Sequence, residues 1–316
     1  MTELPRTRLE RWRYALKPAS WPKLLAPMLL GQALGVHAAQ RTGQFSLRHA
    51  SFVLLWGVVL SLVNLATIVL LNDWADRDVD ALKRRMFPDA GSPKTIYDGI
   101  LPAKQLLFGG LASGIATLAL GVVGAVYVGT PFVILLVLSG LVCFWAYSLP
   151  PLRLNYRGGG ELLEMLGVGV VFPWIFCSAQ GRSWGSAELV LLIGFAPLAL
   201  ASAVASGLSD EQSDRRGGKR TLVTTLGNPS ARKLIRGCLP LSAVLLFVGV
   251  ALSPLATWLV LPLVSAVLLG WRAVARADAG ADTRAFRRLG ELKRVLHLAI
   301  WGSQLLAALL VLLTRG

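Results

Sequence analysis

Acidic side chains are scarce in this chain: 17 Asp and Glu stand against 32 Lys and Arg in 316 residues. Cysteine and histidine are scarcer still, at three each. Cys143, Cys177 and Cys238 all lie in or at the edge of apolar runs. That suits packing and argues against a disulfide framework or a thiolate metal centre. His37, His49 and His297 show no ligand spacing, so neither a zinc nor a haem site is indicated. Charged residues make up only 16% of the chain while 54% are hydrophobic, and mean hydropathy is +0.60. That balance excludes an ordinary soluble domain.

Apolar runs of roughly 18 to 22 residues recur, long enough to span a bilayer as a helix. Nine are placed: Ala19–Ala39, Ser51–Leu71, Gln105–Val128, Pro131–Leu149, Glu161–Gln180, Ala187–Ser209, Leu234–Leu252, Pro254–Trp271 and Leu292–Leu313. The third and fourth are parted only by Gly129-Thr130, and the seventh and eighth meet at Ser253. Pro131 and Pro254 mark a break at each. The expected fold is all-α, a polytopic membrane protein with nine transmembrane helices, organised as one membrane-embedded domain over 1–316.

A net charge of +15 and a pI near 10.6 would suggest nucleic acid in a soluble protein. Here the bases mark the cytoplasmic face. With the N-terminus inside, only Arg41, Arg48, Arg182 and Arg315 fall outside. The basic segment 1–18 contains Trp12 and Tyr14 and suits an interfacial amphipathic helix. The long apolar run after it, without a small-residue cleavage pattern, does not read as a cleavable signal. No nucleic-acid module is present, and nucleic acid is not an expected partner.

The few acids are concentrated where they are most costly. One cluster, Asn72-Asp73-Trp74-Ala75-Asp76-Arg77-Asp78-Val79-Asp80, directly follows the second run. Another, Asp210-Glu211-Gln212-Ser213-Asp214, follows the sixth. Carboxylates at the edge of hydrocarbon point to function. Asn72, Asp76 and Asp80 are spaced by four, as are Asp210 and Asp214, so on a helix each set shares one face. Hard divalent cations take such oxygen ligands, and Mg²⁺ commonly combines one or two carboxylates with substrate phosphates. Asp73 and Asp78 point off that face and read as supporting or solvated groups.

Bases follow each cluster: Lys83, Arg84, Arg85 and Lys94 after the first, Arg215, Arg216, Lys219 and Arg220 after the second. Some serve as membrane anchors. Lys94 and Lys219, farther from the runs, suit phosphate oxygens. Gly217-Gly218 would let backbone approach an anion. Asn64 lies one to two turns deeper than Asn72, roughly on the same face, and suits either an interhelical hydrogen bond or a substrate contact. Tyr147 and Arg153 close the fourth run, as anchors or as site residues. Glu161 can reach the interface, whereas Glu164 lies deeper and needs a partner.

These residues resemble the UbiA superfamily of membrane-embedded prenyltransferases. The resemblance rests on the N-x-x-x-D-x-x-x-D pattern at Asn72, Asp76 and Asp80 and the D-x-x-x-D pattern at Asp210 and Asp214, each after the expected span. The stretch Tyr147–Gly160 and Lys219-Arg220-Thr221 also look like family members. Asp210–Thr221 and Lys17–Gly35 look most like the menaquinone branch, which prenylates 1,4-dihydroxy-2-naphthoate. The chain departs from the family at Ser92-Pro93-Lys94, where an Arg-Pro pair is frequent. It departs again at Pro151, where some members place a Lys four residues after the tyrosine, although Arg153 follows closely.

The Ala-, Leu-, Gly- and Arg-rich usage suggests a bacterial plasma membrane. The resemblance implies helices around a central cavity with a cytoplasmic cap. It implies Mg²⁺-dependent transfer of a polyprenyl group from its diphosphate to an aromatic acceptor. Asn72, Asp76, Asp80, Asp210 and Asp214 would hold metal, the four aspartates carrying catalysis. Lys83, Lys94, Arg153 and Lys219 would bind diphosphate. Asn64, Tyr147 and Glu161 would line the cavity or meet the acceptor. Other acceptors remain open: 4-hydroxybenzoate, homogentisate, a chlorophyllide, haem or a glycerol lipid. A secondary transporter is the rival of a different class, since it too carries intramembrane carboxylates. Its acids would sit near the midplane rather than at one face.

Overall fold

In the computed structural model, 7–88, 94–181, 186–252 and 283–313 are described, with the single residues 5, 268, 270, 272 and 274. These residues are helical or lie in short connections, with no strand among them. Helix α1 (Arg8–Leu16) starts with a capping box: Thr7 and Glu10 each accept the other's backbone N–H, satisfying two donors that a helix start leaves orphaned. The chain then runs through α2 (Pro22–Arg41), α3 (Leu47–Ala75), α4 (Arg77–Met86), α5 (Ala103–Val128) and α6 (Phe132–Ser148). A four-residue turn α7 (Leu154–Arg157) leads into α8 (Gly160–Gly181), which contains a π-helical turn at Gly167–Val171. Next come α9 (Ser186–Leu208), the short α10 (Glu211–Arg216) and α11 (Leu222–Leu226), then α12 (Asn228–Ala251) and α13 (Thr283–Leu313).

Eight of the nine expected spans are therefore helices, and the eighth, Pro254–Trp271, falls almost wholly outside the described residues. Six of the eight, α3, α5, α8, α9, α12 and α13, contain stretches long and apolar enough to cross a membrane. Helix α6 is apolar but shorter, at 17 residues. Helix α2 is diluted by Lys23, Gln32, His37 and Gln40. The break expected between the third and fourth spans is present: α5 ends on Gly129 in the left-handed region, and α6 begins after Pro131. Glycine has no Cβ to clash in that conformation.

One face of α5 exposes Leu111, Ile115, Leu118, Val122 and Val126, a stripe that would be a liability in water and suits lipid. Inside, α2, α8, α9, α12 and α13 share one apolar cluster, and α2, α3, α6 and α8 share a second. Lipid supplies no hydrophobic drive between helices, so close packing and polar contacts must hold them. Gly31 shows the first. A Cβ there would lie 2.0 Å from the Pro173 carbonyl oxygen, so only glycine allows α2 and α8 to come this close. Gln180 shows the second, donating to Gln32 at 2.6 Å and to the Ala50 carbonyl at 3.0 Å. The three cysteines are free thiols, as their placement in apolar runs suggested.

Candidate active site

The first acidic cluster does not lie on one continuous helix. Helix α3 stops at Ala75, and Asp76 adopts φ −94° and ψ 5° as the N-cap of α4. The four-residue register survives the break because the backbone bonds do. Asp76 N–H donates to the Asn72 carbonyl at 2.9 Å, and Asp80 N–H donates to that of Asp76 at 2.8 Å. The second cluster is built the same way: Asp210 caps α10, and Asp214 N–H donates to the Asp210 carbonyl at 2.8 Å. In both motifs the first aspartate sits at a helix start and the second one turn in. Helices α4 and α10 pack together. Gly217 faces Val79, whose Cγ2 would lie 2.6 Å from a Cβ at that position. That glycine thus serves helix contact in this structure.

The two motifs are tied to each other reciprocally. Lys219, from the second loop, donates to Asp76 at 2.8 Å. Lys83, from α4, pairs with Asp210. Lys94 pairs with Asp80 in the first loop. Around these pairs, Tyr156 O–H donates to Asp76 at 2.9 Å and Ser148 O–H donates to the side-chain amide oxygen Oδ1 of Asn72 at 3.1 Å. Asp73 is 5% exposed and accepts from Lys17 and, at 2.8 Å, from Thr95. Asp78 is 89% exposed. Of these two, Asp73 is a buried support and Asp78 is solvated.

The charges respond to this packing. Burial works to lower the Lys219 ammonium, yet the carboxylates of Asp76 and Asp214 hold it above its usual range. Lys94 is likewise raised, against burial, by Asp80. Burial works to raise Asp210, and Lys83 holds it below the usual carboxylate range. Asp214 differs. Burial pushes it up to about 7, Asp210 and Asp76 adding to the rise and Lys219 and Lys83 opposing it. It is 7% exposed, and no hydrogen bond or ion pair reaches its carboxylate among the described residues.

A match to the UbiA prenyltransferase family covers residues 24–311. The chain belongs to that family. It is thus a prenyltransferase and an integral membrane protein. The 1,4-dihydroxy-2-naphthoate octaprenyltransferase of Mycobacterium tuberculosis is 26% identical over 267 residues, covering 82% of this chain and 83% of that one. The chloroplast chlorophyll synthase of Arabidopsis thaliana is 25% identical over 240 residues, covering 73% of this chain but only 58% of that protein. Among solved structures, a UbiA homolog from Archaeoglobus fulgidus bound to GPP and Mg²⁺ superposes with a TM-score of 0.66 at 15% identity, covering 93% of this chain and 99% of that one.

In this UbiA-family chain the other expected residues fall in three groups. Arg153 donates to the Ala75 carbonyl at 3.1 Å, with its guanidinium 3.8 Å from the centre of the Tyr156 ring, beside Asp76. Tyr147 lies against Gly160, and Asn64 is half-buried in α3 with no hydrogen bond among the described residues. Glu161 accepts the Leu222 N–H at 2.7 Å, so it holds the start of α11. Glu164 finds its partner in Lys23. Ser92-Pro93 lie outside the described residues. Lys17, Thr95, Ser148 and Tyr156 are the contributors that sequence reasoning missed. Ser148 and Tyr156 lie within the family-like stretch Tyr147–Gly160 and Lys17 opens the stretch Lys17–Gly35, whereas Thr95 carried no signal.

Among the described residues no three carboxylate, imidazole or thiol groups stand close enough to hold a metal ion. Three of the four motif aspartates face an ammonium instead. The donor set still fits a hard cation: all oxygens, gathered at one end of the helices, with Asp214 buried and without a partner.

Proposed function

We propose that this prenyltransferase moves a polyprenyl group from its diphosphate to 1,4-dihydroxy-2-naphthoate, as a step toward menaquinone. The reciprocal tie between the motifs carries the reading, because it brings two sets of acids and two sets of bases to one place. Asn72, Asp76, Asp80, Asp210 and Asp214 would hold Mg²⁺. When bound, Mg²⁺ neutralises the diphosphate and makes it a competent leaving group.

The chain's own residues do the rest. Lys83, Lys94 and Lys219 exchange their carboxylate partners for diphosphate oxygens and stabilise the charge that develops as the C–O bond breaks. Arg153, held beside Tyr156, adds a planar donor for the same oxygens. Tyr156 and Ser148 keep Asp76 and Asn72 oriented through that exchange. Tyr147 and Asn64 face the path of the acceptor and prenyl chain. An apolar cavity between the helices keeps water from the allylic cation until the electron-rich ring attacks. The unit is one domain of nine spans with a cap over the site. The N-terminus and both motif loops face the cytoplasm of a bacterial plasma membrane, supported by the basic residues that surround this end.

Purified protein in detergent, given a labelled prenyl diphosphate, Mg²⁺ and an acceptor panel, tests this. Product with 1,4-dihydroxy-2-naphthoate, lost in chelator and restored by Mg²⁺, is expected. Product only with 4-hydroxybenzoate, homogentisate, a chlorophyllide, haem or a glycerol lipid overturns the acceptor. Metal-independent product overturns the mechanism.

A further inference from the structure

The ion pairs around the site leave a remainder. Of Asp73, Asp76, Asp80, Asp210 and Asp214, the first four pair respectively with Lys17, Lys219, Lys94 and Lys83. Asp214 takes no lysine. On the basic side, Lys293 has no ion pair or hydrogen bond among the described residues, although it is half-buried. Its ammonium faces the Asp210 carboxylate and, with like charge, those of Lys83, Lys23 and Lys94.

Helix α13 brings it there. The helix packs against α2 and α9, and one turn beyond Lys293 the His297 ring meets the Ser202 carbonyl of α9 at 3.3 Å. That contact fixes which face of α13 turns toward the end of α9, where Asp210 begins the second motif. A lysine in the last span, outside both motifs, thereby comes within electrostatic reach of the start of the second motif and of the lysines that pair with both. Three neighbouring ammonium groups repel it there, and the one carboxylate that attracts it, Asp210, is already paired with Lys83. A half-buried cation without an ion pair of its own among the described residues suits a further anion. The unpaired carboxylate suits a metal ion, and the unpaired ammonium suits the anion such an ion would bring.

We propose that Lys293 binds the diphosphate of the prenyl donor and the inorganic diphosphate it becomes. This rests on the proposed function above, and it adds a ligand that neither aspartate motif contains. Lys293 stays available to diphosphate throughout, whereas Lys83, Lys94 and Lys219 must first leave a carboxylate. It therefore makes the first contact with incoming substrate and the last with the departing product.

Calorimetric binding of inorganic pyrophosphate in Mn²⁺ to the purified full chain tests this, using wild type, Lys293→Met and Lys293→Arg. Lys293→Met is expected to weaken pyrophosphate binding about tenfold or more, the size of one charge-assisted hydrogen bond. Lys293→Arg restores most of it. Mn²⁺ binding alone is unchanged or tighter in Lys293→Met, because a positive charge facing Asp210 has gone. Wild-type pyrophosphate affinity in Lys293→Met overturns the proposal, while a wild type that still transfers prenyl groups leaves the proposed function standing. Joint loss of Mn²⁺ and pyrophosphate binding, unrescued by arginine, makes Lys293 a structural residue and also overturns it. A wild type that binds neither probe takes the proposed function down as well.

Discussion

The two acidic motifs share a plan and differ in how firmly they are held. Each places an aspartate at the N-cap position of a short helix and a second aspartate one turn on. In the first, every motif side chain has a partner: Asn72 takes Ser148, Asp76 takes Tyr156 and Lys219, and Asp80 takes Lys94. The loop after it is pinned from α1, where Lys17 reaches Asp73 and Tyr14 donates to Asp98 at 2.6 Å, with Arg84 on the same carboxylate. In the second, Asp210 takes Lys83 and Ser209, but the Asp214 carboxylate takes no hydrogen bond or ion pair among the described residues. The first motif is thus a braced wall, and the second keeps an open ligand position. A site that must accept a metal and a polyanion and then release both needs one of each.

The comparison breaks most visibly at its two extreme aspartates. Asp76→Asn and Asp214→Asn should each lower turnover by about a hundredfold or more, yet they should part in stability. Asp76→Asn strands the buried Lys219 and should cost about 3 kcal/mol. Asp214→Asn removes a buried carboxylate with no partner and should leave the metal-free protein as stable or more so. Thermal unfolding in chelator, run beside the turnover assay, checks both; equal destabilisation would erase the distinction.

Lys83→Met tests the tie between the motifs. It should destabilise the protein by about 1 kcal/mol by leaving the part-buried Asp210 with Ser209 as its remaining side-chain partner. Adding Asp210→Asn should recover part of that loss without recovering turnover, as a double-mutant cycle in thermal unfolding would show. Tyr156→Phe is comparable. It removes one hydrogen bond to Asp76 and leaves Lys219 in place, so a loss of about 1 kcal/mol and a correspondingly modest drop in turnover are expected.

A further contrast between the motifs lies in pH. The Asp214 carboxyl is raised to about 7, above its ordinary value of 3.8, so the folded protein holds its proton where the unfolded chain has lost it. Stability from this group therefore falls as pH rises between about 4 and 7. In chelator, wild type should lose stability relative to Asp214→Asn across that window. Parallel curves would remove the claim that Asp214 is buried without a partner.

Much of this was legible in the chain. The spans stand out because a lipid-facing helix must be apolar over its whole length, and Pro131 with Gly129 placed the break between α5 and α6. The motifs were visible because carboxylates are rare here and fall at span ends. The break at Asp76 was not, since a four-residue spacing reads the same in one helix as in two joined at a cap. Nor were the partners. Tyr156 lies 80 residues from Asp76, Lys17 lies 56 from Asp73, and Ser148 lies 76 from Asn72. No local pattern encodes those distances, and only the packing of α1, α6 and α7 against α3 supplies them. Glu161 is a further case: its carboxylate accepts the Leu222 N–H, 61 residues on, a partner that its place at a span start did not disclose.

The most direct test of the shared site is Mn²⁺ binding in the presence of inorganic pyrophosphate, compared between Asp80→Asn and Asp210→Asn. One substitution is in each motif, and each removes a carboxylate now paired with lysine. Two motifs acting as one site predict that either change weakens the same binding event by a similar factor. Retention of wild-type binding by one variant would mean that a single motif holds the metal, contradicting the reciprocal site.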